Sequence, residues 1–366
     1  MTNKIRILAL YLPQYHPFKE NDEWWGKGFT EWTNVGKAKR YFPGHYQPRV
    51  PADLGYYDLR VPETREAQAQ MAKEYGIEGF LYWHYWFGNG KKLMQRPFDE
   101  VVSSGNPDFP FALAWANESW KGFAHGITNR NVLIEQLYPG EQDIIDHFYD
   151  VLPAFKDKRY ITIDGKPLFM IYKPMQHPQM SLFINIWRKL AKKNGLSGIF
   201  FLGQTYGYTD CKETDETILS KFKEYGFDAV NFCRQNAYME QRCILRKAFD
   251  KIKAEVFRLP KLFSYKNTTK YYTKEMDREE YIFPTIISGW DHTPRSKNMG
   301  VVLTHYNPKT FGAHLDKVID VVKDKDFEHS VIILKSWNEW AEGNYLEPDL
   351  KYGKQFLEEI QKRVIK

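Results

Sequence analysis

Residues 331–347 read VIILKSWNEWAEGNYLE. Val331 to Leu334 is a continuous apolar run, the pattern of a strand covered on both faces. The run empties into Trp337, Asn338, Glu339, Trp340, Ala341, Glu342 and Gly343. Two carboxylates three positions apart therefore sit beside two indoles, directly after a buried strand. If the chain turns helical there, positions i and i+3 share a face, with β-carbons about 5–6 Å apart. A solvated Glu-x-x-Glu at a helix start is the ordinary meaning of such a pair. The indoles and the strand exit favour acid–base work instead.

The same rhythm runs outward through the chain. Apolar runs predict strands at Ile5–Leu12, Gly79–Trp83, Phe109–Ala116, Pro167–Tyr172, Ile199–Gly203, Phe227–Phe232, Phe283–Gly289 and Val331–Leu334. Helical patterns fall between them, for example Glu63–Tyr75, with Pro62 at its start and Gly76 beyond its end. Eight buried strands alternating with helices predict an α/β fold, a (β/α)8 TIM barrel. A doubly wound open sheet is the alternative, weakened because no Gly-rich phosphate loop follows any strand.

A barrel needs ~250 residues, and this chain has 366. Two stretches account for much of the excess. Gln14–Pro62 is long and rich in rings (Tyr15, Trp24, Trp25, Trp32), unlike a disordered segment, and predicts an ordered loop over a site. Ala237–Met276 carries an amphipathic helix: Leu245, Ala248, Phe249, Ile252 and Val256 repeat at three and four, and its other face carries Arg242, Arg246, Lys247, Lys251 and Lys253. The expectation is that the apolar stripe packs on the barrel and the basic face meets water. Contact with an anionic membrane surface is the alternative. The whole of 1–366 is expected to be one barrel domain with an insertion at 237–276.

Composition narrows the function. Aromatic residues make up 16%, with 11 Trp and 24 Tyr, more amphipathic rings than a core requires. Such rings serve as platforms for sugars. A net charge of +6 is too mild to imply nucleic acid. Cys211, Cys233 and Cys243 form no CxxC pair, which fits a reducing compartment rather than a disulfide or zinc framework. No signal peptide and no membrane-spanning run are read, so a cytoplasmic protein is expected, with peripheral contact at an inner membrane as an option.

In a barrel the site lies at the C-terminal ends of the strands. Those ends supply Tyr11 and Gln14; His84 and Trp86; Asn117, Glu118 and Trp120; Tyr172; Gln204 and Tyr206; Asn231; Trp290 and Asp291; and Trp337, Asn338, Glu339 and Glu342. Trp32 joins them from the long loop. Amides and carboxylates bond sugar hydroxyls, and indoles stack on sugar rings. Glu339 and Glu342 are the candidate catalytic pair. Retaining glycosidases hold two carboxyl groups roughly 5–5.5 Å apart.

The stretches YLPQYHPFKENDEWWGKGFTEWTNV, GFLYWHYWF, FALAWANESW and SWNEWAEGNYLEPD resemble the WbsX-type proteins of bacterial lipopolysaccharide and capsule clusters. Those are described as glycosyltransferase-like and are related to the endo-α-mannosidases of glycoside hydrolase family 99. The resemblance runs from Ile5 to about Tyr352 and implies a (β/α)8 barrel. It also implies a retaining mechanism in which Glu339 is a base on the sugar's 2-hydroxyl, giving a 1,2-anhydro intermediate, and Glu342 is the acid/base. Glu118 rivals Glu342 as acid. The implied substrate is an oligosaccharide or polysaccharide, lipid-linked in one version, with no cofactor. A nucleotide-sugar transferase and a non-catalytic glycan-binding barrel remain the rivals.

Other signals are weaker. His84, His292, Asp291 and Glu31 show no HxH or HExxH spacing, so no metal is expected. Asp324-Lys325-Asp326 is a DxD in a charged loop on the face opposite the expected site, where a solvated turn explains it.

Overall fold

The computed structural model describes residues 5–122, 132–207, 212–240 and 243–365. Eight parallel strands form its centre: β1 Arg6–Tyr11, β2 Gly79–His84, β3 Phe111–Trp115, β4 Lys166–Ile171, β5 Phe200–Thr205, β6 Ala229–Phe232, β7 Thr285–Ile287 and β8 Val331–Lys335. Their spatial order is β7-β8-β1-β2-β3-β4-β5-β6. Leu8 of β1 sits opposite Ile333 on one side and Gly79 on the other. The last seam, between β6 and β7, is a single parallel bridge from Val230 to Ile282. There the Asn231 amide donates to Phe283 O at 2.7 Å and to Thr285 Oγ1 at 2.9 Å, standing in for missing ladder bonds. The result is a nearly closed α/β barrel of the TIM type.

The strands are apolar on both faces because each is sandwiched between barrel interior and helix ring. Ile332, Ile333 and Leu334 are fully buried. The ring consists of α1 Pro62–Glu74, α2 Arg96–Ser104, α3 Glu141–Phe155, α4 Met180–Lys193, α5 Asp215–Tyr225, α7 Pro308–Val322 and α8 Gln355–Val364, with α6 Ile244–Glu255 in the insertion. Helix α1 starts on its proline, which gives up no hydrogen bond there, and is left by Gly76 at φ +87°.

The two long connections are more ordered than a loop. The 14–62 segment folds two short helices, Lys19–Trp25 and Glu31–Gly36. The insertion adds a strand, Lys261–Ser264, that pairs in parallel with Val301–Thr304 outside the barrel. Cys233 is buried and Cys243 exposed; Cys211 and Arg242 lie outside the described residues. Asp324 and Asp326 are exposed on the turn leading into β8, at the face away from the strand exits. Among the described residues no helix is long and apolar enough to cross a membrane.

One expectation is overturned. The apolar stripe of α6 does not pack on the barrel. Leu245, Phe249, Ile252 and Val256 are 82%, 59%, 50% and 67% exposed, while Ala254, half a turn around the helix, is buried. The period of the pattern is right; its phase relative to the barrel is reversed, because a small alanine rather than the bulky stripe lies underneath.

Arg234, at the exit of β6, ties the insertion down. It pairs with Asp215 of α5 at 3.0 Å and with Asp277 at the end of the insertion at 2.7 Å. All three side chains are almost wholly buried. Removing Arg234 leaves the buried Asp277 without that counter-charge, while Asp215 keeps Lys274 at 2.8 Å. Arg234→Met is therefore expected to lower unfolding stability by about 3–5 kcal/mol, measured by urea denaturation; a loss within experimental error contradicts the role given to it.

Candidate functional site

The strand exits converge on a cleft of about 510 Å³. Its floor is the segment after β8. Asn338–Glu339 pairs antiparallel with Asn344–Tyr345. Between them Trp340–Glu342 forms one 3-10 turn, closed by Gly343 at φ +58°. The two glutamates thus flank a tight hairpin turn rather than sharing an α-helical face. A side chain at position 343 would strike the Asp291 Cβ at 2.7 Å, so glycine is required for the close approach as well as for the φ.

Buried hydrogen bonds fix this hairpin against the exit of β1. The Asn338 side chain accepts from Leu12 N at 2.7 Å and donates to Leu12 O at 3.0 Å. Tyr15 OH donates to Asn338 O at 2.5 Å and accepts from Trp340 N at 3.1 Å. Below, Glu347 accepts from the Trp340 indole at 2.6 Å, the Gln68 amide at 2.6 Å and Tyr57 OH at 2.9 Å. Burial pushes the Glu347 carboxyl up to about 7 in spite of these donors.

Charge in the floor is organised by Arg295. This residue lies on the short helix Thr293–Ser296 after β7. Its Nη1 donates to Glu342 Oε1 at 2.5 Å, and its Nη2 stands 3.0 Å from Glu31 Oε2 and 3.5 Å from Glu339 Oε2. Burial, and then the charge of Glu342, push Glu339 up to about 7; Arg295 and Lys335 pull the other way without cancelling them. Glu339 therefore holds its proton up to near neutrality beside the carboxyl of Glu342.

The walls are aromatic and polar. Trp83, Tyr85, Trp120, Tyr206 and Trp290 line the cleft, with the amides of Gln14, Gln235 and Asn236. Lys173 pairs with Glu118 at 2.7 Å on one wall. Lys335 reaches over the Trp290 ring, 5.4 Å from its centre. His292 is 3.7 Å from Glu342, and burial lowers its proton affinity.

Of the strand-end residues singled out in the sequence, the cleft gathers Gln14, Glu118, Trp120, Tyr172, Tyr206, Trp290, Glu339 and Glu342. The others stand behind it. Tyr11 is buried and bonds Gln68 of α1 at 2.7 Å. His84 bonds His147 at 2.8 Å, and Trp86 stacks on His147 at 4.7 Å and donates to Asp143. Asn117 ties the exits of β3 and β4 together through Lys173. Gln204 bonds Asn231 at 2.7 Å. Asp291 is fully buried, held by His45 and Gln47 at 2.8 Å each and by Thr293. Trp337 is buried against Phe80, Asn338 is the hairpin anchor, and Trp32 packs on Trp340 while donating to Tyr57 O. These are corrections of position: the residues shape the cleft without facing into it.

Sequence reasoning missed Arg295, Lys335, Lys173, Trp83 and Tyr85. The signal for Arg295 lay in Trp290-Asp291-His292-Thr293-Pro294-Arg295, where a proline opening a short helix after a strand exit brings the next residue back over the barrel mouth.

A family model described as Glycosyltransferase WbsX matches residues 7–360. The chain belongs to the WbsX family. A WxcX protein from Xanthomonas campestris pv. campestris strain B100 is 32% identical over 360 residues, covering 96% of this chain and 48% of that protein. The chain thus spans about half the length of the curated WxcX relatives it matches. Among solved structures, a glycoside hydrolase-like protein superposes with TM-score 0.56 at 16% identity, covering 99% of this chain and 94% of the other. The GH99 endo-alpha-mannosidase from Bacteroides thetaiotaomicron superposes with TM-score 0.55 at 14% identity, covering 98% and 96%. These likenesses establish a common fold.

The Glu339 carboxyl has a stability consequence. Its folded value of about 7 is above the ordinary 4.5. The stability it contributes is therefore complete below about pH 4.5 and is lost as pH rises toward 7. Glu339→Gln removes that loss. It is expected to stabilise the protein by about 1–3 kcal/mol at pH 8, with a smaller gain at pH 5, read as melting temperature against pH. A variant that melts below the wild type at pH 8 contradicts this electrostatic account of the floor.

Proposed function

We propose that this WbsX-family chain is a carbohydrate-active enzyme. It works at a glycosidic bond with retention during assembly of a bacterial surface polysaccharide, as a glycoside hydrolase or transglycosylase. The observation that carries this reading is Glu339, its carboxyl pushed up to about 7, beside Glu342 at the floor of a cleft walled by indoles and amides. The fold shared with an endo-alpha-mannosidase supports it.

The division of labour follows from charge. Glu339 and Glu342 supply the base and the acid/base, and the reaction needs one proton between them. Without substrate that proton rests with Glu339, because Arg295 grips Glu342 more closely than Glu339. For Glu339 to act on a ring hydroxyl, its proton must pass to Glu342, which then protonates the leaving oxygen. Arg295 positions both carboxylates. Glu118, paired with Lys173 and more exposed than the two floor glutamates, orients the sugar. The family's description as a glycosyltransferase differs in the donor, an activated sugar in place of a glycoside; within the reading proposed here, water as acceptor gives hydrolysis and a sugar hydroxyl gives transglycosylation.

The direct test is a calorimetric titration with a mannose-configured imidazole mimic of the transition state, beside a nucleotide sugar. Binding of the mimic, lost in Glu339→Gln and Glu342→Gln, is the expected result. Binding of the nucleotide sugar alone overturns the hydrolase or transglycosylase reading in favour of a nucleotide-dependent transferase. In turnover assays on labelled surface oligosaccharides each Gln variant is expected to lose about 10²–10⁴-fold while staying folded; full activity in both moves the assignment to Glu118.

The pH dependence gives a separate check. Activity is expected to fall as pH rises through about 7, where Glu339 loses its proton. Arg295→Lys keeps the charge but weakens the grip on two carboxylates at once, so the falling limb should move to higher pH. An unshifted limb removes Arg295 from the tuning of the pair.

A further inference from the structure

Helix α6 leaves its apolar stripe in water. Leu245, Phe249, Ile252 and Val256 lie within a narrow strip along one side of the helix, and Phe257, just past its end, is 64% exposed. Soluble surfaces scatter single apolar side chains; a continuous stripe on a helix marks a contact. Charge says with what. Residues 241–274 contain ten Lys and Arg (Arg242, Arg246, Lys247, Lys251, Lys253, Arg258, Lys261, Lys266, Lys270, Lys274) against two acids, Asp250 and Glu255. That is +8 in a chain whose net charge is +6, so the rest of the molecule is −2. Lys251, Arg258, Lys266, Lys270 and Lys274 are exposed.

We infer that α6 and the basic segment after it form a docking surface for an anionic lipid bilayer. The stripe enters the boundary between headgroups and acyl chains, and the Lys and Arg side chains lie among the lipid phosphates. A mate for a protein interface of this charge would have to be strongly acidic, and the body of this chain, at −2, is not, so a second copy is a poor occupant.

The position of the insertion gives the contact a purpose. Gln235 and Asn236, which line the cleft, run directly into its first helix at Ala237–Glu240. Its strand Lys261–Ser264 pairs with Val301–Thr304, and Leu303 N donates to Trp290 O at 2.8 Å. Asn298 Nδ2 donates to Ala254 O at 2.8 Å, two residues from the cleft residue Ser296. The insertion is thus built onto the rim of the cleft. Docking it brings the cleft to the bilayer surface, where a glycan carried on a lipid is presented. That last step rests on the carbohydrate reading; the docking itself does not.

The test is flotation of the full chain with vesicles of phosphatidylethanolamine and phosphatidylglycerol, beside vesicles of phosphatidylcholine alone. Binding to the anionic vesicles, weakened by added salt, is expected. It should fall at least tenfold in the double variant Phe249→Glu, Ile252→Glu, which alters only exposed positions and should leave the melting temperature unchanged. Absence of binding to anionic vesicles overturns the inference, as does binding that the double variant retains. Self-association that the double variant abolishes, without vesicle binding, assigns the stripe to a second copy instead. Because vesicle binding needs no turnover, it stands or falls separately from the glycosidic reading.

Discussion

One guanidinium holds the chemistry of this protein in place. Arg295 reaches Glu342, Glu31 and Glu339 from a short helix after β7, and these carboxylates come from the long first loop and from the hairpin after β8. Burying three carboxylates beside two cations, Arg295 and Lys335, leaves a deficit of positive charge. The protein meets the deficit by keeping a proton on Glu339. Stability and the proposed catalysis meet at that proton, since the burial that makes the group costly also makes it an acid at neutral pH.

Everything around the arginine serves to keep it and the glutamates from relaxing apart. The hairpin is bonded to the exit of β1 through Asn338 and Tyr15, and supported from beneath by Glu347, Tyr57 and Gln68. The short helices of the first loop bring Glu31 and Trp32 over the same floor. Residues that read as ligands in the sequence, such as Asp291 and Trp32, turn out to be the frame on which the floor is built.

The barrel was legible because strand–helix alternation survives in composition: each of the eight predicted strands overlaps an observed one. The cleft was legible only in part, and the reason is the phase of the strands. Successive side chains of a strand point to opposite faces, and a strand apolar on both faces carries no mark of which face is inner. At the exit of β2 the reading chose His84 and Trp86, whereas Trp83 and Tyr85 face the cleft. The same uncertainty put Tyr11, Asn117 and Gln204 in the site. At α6 the period was right and the facing wrong. Arg295 was missed because its reach depends on a four-residue helix that no periodicity announces.

The proton held on Glu339 is the centre of this account, and carbon NMR of the glutamate side chains tests it most directly. With every glutamate labelled at its carboxyl carbon, the account predicts a resonance that titrates near pH 7 in the wild type and disappears in Glu339→Gln. A spectrum in which every glutamate that responds to that substitution titrates below about pH 5, the ordinary range for an exposed carboxyl, would contradict it.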